Sequence, residues 1–118
     1  MNNQKPTRYY SKKQENRTAK NLGGKTTPNS GAAKFYGGDV ALNNFLIECK
    51  TLTKPQQTMS VKKEWLTKTK EEAFAQRKQF YALAFDFGQD ENYYTIDEKT
   101  FKYFLSLLKE LNKEEKDV

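Results

Sequence analysis

Two carboxylates and one lysine in the stretch GGDVALNNFLIECK have the types and spacing to do chemistry. If Asn43 and Asn44 are the two turn residues of a hairpin, Leu42 faces Phe45, Ala41 faces Leu46, Val40 faces Ile47 and Asp39 faces Glu48. Directly opposed residues share a sheet face, with Cβ atoms about 4.5–5.5 Å apart. Lys50 lies two residues beyond Glu48 and so shares that face. Like charges placed opposite one another destabilise a sheet, so a positive charge must offset them. Lys50 supplies one. A divalent cation supplies the rest, since hard oxygen donors suit Mg²⁺, with Mn²⁺ as a substitute. Such an ion acidifies water and polarises a phosphoryl oxygen, and a neighbouring ammonium stabilises the charge that develops. The same residues on a solvated edge hairpin would do nothing.

The elements that must position this cluster follow from the hydrophobic pattern. Residues 8–22 have helical length but a poor apolar stripe (Tyr9, Tyr10, Ala19, Leu22). Residues 23–31, GGKTTPNSG, read as a loop. Strands are expected over 35–42 and 45–52, with Asn43-Asn44 in the left-handed backbone that a two-residue turn takes. A loop over 53–59 leads to a helix from Ser60, its N-cap, to about Arg77, with Val61, Trp65, Leu66 and Ala73 on its apolar face. Residues 80–87 alternate, Tyr81, Leu83, Phe85 and Phe87 against Ala82, Ala84 and Asp86, which predicts a central strand covered on both sides. Tyr93 to Ile96 is a short strand. Asp97 then caps a last helix carrying Phe101, Phe104, Leu105, Leu108 and Leu111, with a tail fraying from Asn112. The order αββαββα gives an α/β (α+β) fold, a small mixed central sheet flanked by helices. Residues 1–7 are expected to be a disordered basic tail, 8–111 one domain, and 112–118 a charged tail.

Composition narrows the chemistry further. The 118 residues contain no histidine and one cysteine, which excludes serine triads, histidine bases, cysteine-cluster zinc and an intrachain disulfide. The longest apolar run, Phe80 to Phe85, is far short of the roughly 20 residues that span a bilayer, and no signal-type stretch opens the chain. A soluble, intracellular, cytoplasmic protein with no membrane partner is expected. The net charge of +6 is uneven. Residues 1–38 hold eight basic residues and one acid, Glu15, and residues 39–118 hold 13 basic and 14 acidic. A basic arm beside a near-neutral body is a footprint for a polyanion, nucleic acid first; a solvated tail would look the same.

Taken together, NSGAAKFYGGDV…FLIECK, the helix SVKKEWLTKTKEEA and the strand YALAFDF resemble the PD-(D/E)XK nuclease superfamily. The chain looks most like its small archaeal- and phage-type Holliday-junction resolvases, over roughly residues 8–111. The resemblance implies a restriction-endonuclease-like core. It implies Asp39 and Glu48 as metal ligands with the backbone carbonyl of Cys49, and Lys50 as the catalytic lysine. A glutamate on the first helix completes the family's acidic site, and Glu15 is the only acid before Asp39. Ser30 matches a loop serine that contacts phosphate, and is equally an ordinary turn residue. Gly38, not proline, precedes Asp39. A homodimer is implied as well.

The expected function is Mg²⁺-dependent endonucleolytic cleavage of branched DNA, four-way junctions in particular, in recombination or phage DNA processing in the host cytoplasm. Arg8, Lys12, Lys13, Arg17, Lys25, Ser30, Lys34, Lys62 and Lys63 are the candidate DNA contacts. The alternatives are a non-catalytic nucleic-acid-binding protein and a related nuclease acting on duplex or flapped DNA. Tyr9 and Tyr10 either stack on unpaired bases or anchor the first helix. Trp65 reads as core, and Cys49 as a buried small residue facing away from Glu48 and Lys50. Gly23-Gly24-Lys25-Thr26 lacks the spacing of a phosphate loop, so no nucleotide cofactor is expected.

Overall fold

In a computed structural model, residues 5–28 and 38–116 are described. The alternating hairpin folds as its pattern dictates. β2 (Val40–Ala41) pairs antiparallel with β3 (Phe45–Lys50), and the register is Val40 with Ile47 and Ala41 with Leu46. Before them stand α1 (Thr7–Leu22) and β1 (Lys25–Thr26); after them come α2 (Lys63–Ala75), β4 (Phe80–Phe85), β5 (Tyr93–Thr95) and α3 (Glu98–Lys116). The five strands form one mixed sheet in the order β1-β2-β3-β4-β5. β3 and β4 are parallel, with α2 as the crossover that a parallel pair needs; the other neighbours are antiparallel.

One sheet face buries Val40, Ile47, Cys49, Ala82 and Ala84 against Ala19 of α1. On the other, Leu46 and Leu83 are fully buried, and Thr69 and Ala73 of α2 are buried with them. Both faces of β4 are therefore covered, although β3 is the middle strand.

Several expectations are corrected. β1 lies in the expected loop; it adds only two residues to the edge, too few to leave a periodic signal. Thr7, placed in the disordered tail, opens α1. α2 starts three residues after Ser60, with Lys62 at its N-cap and no side-chain cap. β3 stops at Lys50, not residue 52. Neither turn asparagine takes a left-handed backbone: among the described residues only Arg77 does so without being glycine, φ 58°, where the chain leaves α2 for β4. α3 runs on to Lys116, because the expected tail keeps helix-forming Lys and Glu. Residues 35–37 of the expected first strand lie outside the described residues. No helix among the described residues is long and apolar enough to cross a membrane.

α1 is the least conventional element. Its buried residues are Gln14, Glu15, Thr18 and Ala19, so its inner face is mainly polar. Hydrogen bonds offset that burial. Gln14 Nε2 donates to the carbonyl of Lys50 at 2.9 Å and to Asn92 Oδ1 at 3.2 Å, and Asn92 Nδ2 donates to Thr18 Oγ1 at 2.8 Å. Arg17 closes the other end, bonding Asp86 Oδ2 at 2.9 Å and Asp90 Oδ1 at 3.1 Å. Tyr9 and Tyr10 meet edge to face, Tyr9 exposed and Tyr10 half-buried.

Candidate metal and phosphodiester site

Asp39 comes to its place through its backbone. Gly38 has φ 79°, and a Cβ there would stand 2.6 Å from Leu46 Cγ. Proline, locked near φ −65°, cannot occupy this position, which explains the glycine before the acid. Thr27 clamps the same peptide: its Oγ1 donates to the Gly38 carbonyl at 2.6 Å and its N–H to the Asp39 carbonyl at 3.0 Å. The Asp39 N–H donates to the Ile47 carbonyl, and its carboxylate Oδ2 accepts the Cys49 N–H at 2.8 Å. The side chain thus ends the β2–β3 ladder and is buried over the peptide that joins Glu48 to Lys50.

Glu48 and Lys50 lie on the α2 side of the sheet, with Lys50 Nζ 3.6 Å from Glu48 Oε1. Burial, then the neighbouring charge of Asp39, pushes the Glu48 carboxyl up to about 7, and the Lys50 ammonium only partly opposes this. Glu72 on α2 adds to the push; one of its oxygens is 3.9 Å from Lys68 Nζ and the other is buried without a partner. Glu15, on the α1 side, is also raised, first by burial and then by Asp39, and its carboxylate accepts from Arg8 at 3.1 Å.

These acids form a chain centred on Asp39, not one converging shell. Among the described residues no group of three or more His, Cys, Asp or Glu side chains converges closely enough to hold a metal ion. The donor set that remains, Asp39 and Glu48, still fits a hard divalent cation. The Glu48 carboxyl resists ionisation first through burial and then through the Asp39 charge, and a divalent cation would supply the positive charge that offsets both.

Trp65, expected to be core, is half-buried beside this site, with Lys50 Nζ 4.6 Å from its ring centroid and Lys62 Nζ at 5.8 Å. The ring fixes the ammonium by cation–π attraction while leaving its donors free. Glu48, Lys50, Trp65, Lys68 and Thr69 line a cavity of about 430 Å³ between β3 and α2. Trp65, Glu72 and Thr27 are the residues that sequence reasoning missed. A helix following Glu-x-Lys must cross that strand, so an aromatic one turn into it was the available signal for Trp65. Cys49 lies on the α1 side as expected, its Sγ 3.8 Å from Thr18 Oγ1, and burial pushes its thiol up, away from nucleophilic use.

The basic candidates divide. Lys12, Lys25, Lys62 and Lys63 are exposed. Arg8 holds Glu15, and Lys13 stands 3.9 Å from Asp90. Arg17 is corrected from a DNA contact to a structural tie, because its guanidinium is committed to Asp86, Asp90 and Asn92. Ser30 and Lys34 lie outside the described residues. Compared with family models, curated proteins and solved structures, the chain finds no match in any of the three.

Proposed function

We propose that the protein is a metal-dependent DNA endonuclease of the PD-(D/E)XK type acting on branched DNA, four-way junctions in particular. The observation that carries this reading is the convergence of Asp39, Glu48 and Lys50 at the end of one hairpin, with Lys50 held over Trp65. Asp39 and Glu48 would hold the ion, with the Cys49 carbonyl as a further oxygen donor. When bound, Mg²⁺ supplies Lewis-acid polarisation of the phosphoryl oxygen and acidification of water.

The chain's own residues do the rest. The Cys49 N–H fixes one Asp39 oxygen and leaves the other to face Glu48. Lys50 presents its ammonium to the oxygen on which charge develops during in-line hydrolysis. Glu15, the ligand implied on the first helix, is instead tied to Arg8 on the α1 side, where its charge and that of Asp39 oppose one another. Lys12, Lys25, Lys62 and Lys63 are free to meet phosphates. Resolving a junction takes nicks in two strands of like polarity, which a two-fold dimer supplies.

The test is a nicking assay on a four-way junction and its matched linear duplex, with Mg²⁺ and with chelator. Junction cutting that stops with chelator is expected. Equal cutting of both substrates would remove the junction claim, and no metal-dependent cutting of either would remove the enzyme.

A further inference from the structure

A second cavity adjoins the proposed site beside Trp65. It measures about 390 Å³, lies along the loop from β3 to α2, and shares Lys50 and Trp65 with the cavity that Glu48 lines. Trp65 and Met59 give it apolar walls, and Gln56, Thr58 and Ser60 give it neutral polar ones. Among the described residues no carboxylate lines it, whereas Glu48 and Glu64 line its neighbour. The loop wall is fixed in place. The Gln56 N–H donates to the Phe87 carbonyl at 3.0 Å, and a Cβ on Gly88 would stand 2.6 Å from the Lys54 carbonyl oxygen. The Gln56, Thr58 and Ser60 side chains are exposed and make no hydrogen bond among the described residues.

A flat aromatic wall beside uncharged donors and acceptors suits a planar heterocycle that hydrogen-bonds at its edge. The surrounding charge suits a phosphate. Lys62 Nζ stands 5.8 Å from the Trp65 centroid on an exposed side chain, so it is free to turn to an anion. α2 starts at Lys63 without a side-chain cap, and its positive end falls between Ser60 and Trp65, two residues of the cavity wall. A heterocycle and a phosphate joined together are a nucleotide, and the volume is in the range of small-ligand sites. In paired DNA the base is held inside the stack with both ring faces covered. Only an unpaired nucleotide can bring its base to this wall.

We propose that this cavity receives one unpaired nucleotide next to the phosphate that meets Lys50, its base stacked on Trp65 and its edge read by Gln56, Thr58 and Ser60. The inference rests on the nuclease reading for the placement of the DNA, and it names what that site selects: a strand with an unpaired nucleotide at the cut. Trp65 is the only tryptophan of the chain, so its emission reports on this cavity directly. The test uses the full chain in chelator and two duplexes, one fully paired and the other identical but for one unpaired thymidine at its centre. The unpaired site should quench Trp65 emission. Anisotropy of labelled DNA should show it bound at least roughly fivefold more tightly than the paired duplex, the lower end of base–aromatic stacking. Trp65→Ala should abolish that preference, and Trp65→Phe, which keeps a ring in the same fold, should retain most of it. Equal affinity for the two duplexes, emission unchanged as the unpaired DNA saturates, or a preference that survives Trp65→Ala would overturn the proposal. Junction cutting in Mg²⁺ separates the two readings. A wild type that cuts without showing the preference loses the nucleotide cavity and keeps the nuclease; one that shows the preference and never cuts keeps the cavity and loses the nuclease.

Discussion

Replacing Glu48 by Gln should stabilise the metal-free protein while abolishing cleavage. The Glu48 side chain is only 20% exposed, and its carboxyl is raised from 4.5 to about 7 by burial and by Asp39. Each unit of that rise is about 1.4 kcal/mol, so the ionised carboxylate costs the fold about 3 kcal/mol at pH 8. Glutamine keeps the shape and can donate to Asp39. The Lys50 attraction is already contained in that rise, so the net gain is about 3 kcal/mol. For a chain of this length that is about 12 °C in Tm. The sign with pH is definite. Between 4.5 and about 7 the native carboxyl retains a proton that the unfolded chain has lost, so wild-type stability falls as pH rises through that window. The advantage of Gln is thus small at pH 5 and complete at pH 8. Thermal melts of both proteins at these two values, in chelator, measure it. A variant less stable than wild type at pH 8, or a gain equal at both pH values, would refute the reasoning.

Three further outcomes are expected. Arg17→Ala should lose about 2–4 kcal/mol in urea unfolding, because Asp86 is left buried beside Thr51 without its guanidinium; a loss under 1 kcal/mol would return Arg17 to the surface. Trp65→Ala should slow single-turnover cleavage by up to about 30-fold, the value of a partly desolvated cation–π contact, with Trp65→Phe recovering most of it; equal rates for both variants would separate the ring from Lys50. Asp97→Ala should cost about 1 kcal/mol at pH 7, since Asp97 caps α3 through the Thr100 N–H at 2.8 Å. That bond holds the Asp97 carboxyl below its ordinary 3.8, so its contribution is present above that value and fades as pH falls further. A difference unchanged down to pH 2.5 in melts of the two proteins would contradict the cap.

The hairpin was legible because period-two alternation fixes both face and register. Val40–Ile47 and Ala41–Leu46 pair as the asparagine turn requires, and with them Asp39, Glu48 and Lys50 fall together. β4 and α3 were legible for similar reasons: Tyr81, Leu83 and Phe85 alternating with Ala82 and Ala84, and an apolar stripe in helical period. α1 was poorly legible because Gln14 and Thr18 occupy the positions where a stripe would show, and their burial is offset by hydrogen bonds that no periodicity records. Trp65 was misassigned because its helix face also packs the core at Thr69 and Ala73. Only the crossover from β3 to β4 shows that the first turn of this face overhangs Lys50. The role of Arg17 depended on Asp86, 69 residues away. Net charge alone could not separate a fold-tying arginine from one free to meet phosphate.

Cleavage of a four-way junction under single-turnover conditions in Mg²⁺ tests the central claim most directly, with wild type, Asp39→Ala and Lys50→Ala run side by side. Gel-shift binding in chelator serves as the control. All three proteins should bind the junction, and only the wild type should cut it. A wild type that binds without cutting, or either variant cutting at the wild-type rate, would contradict the assignment of Asp39, Glu48 and Lys50 as a phosphodiester-cleaving site.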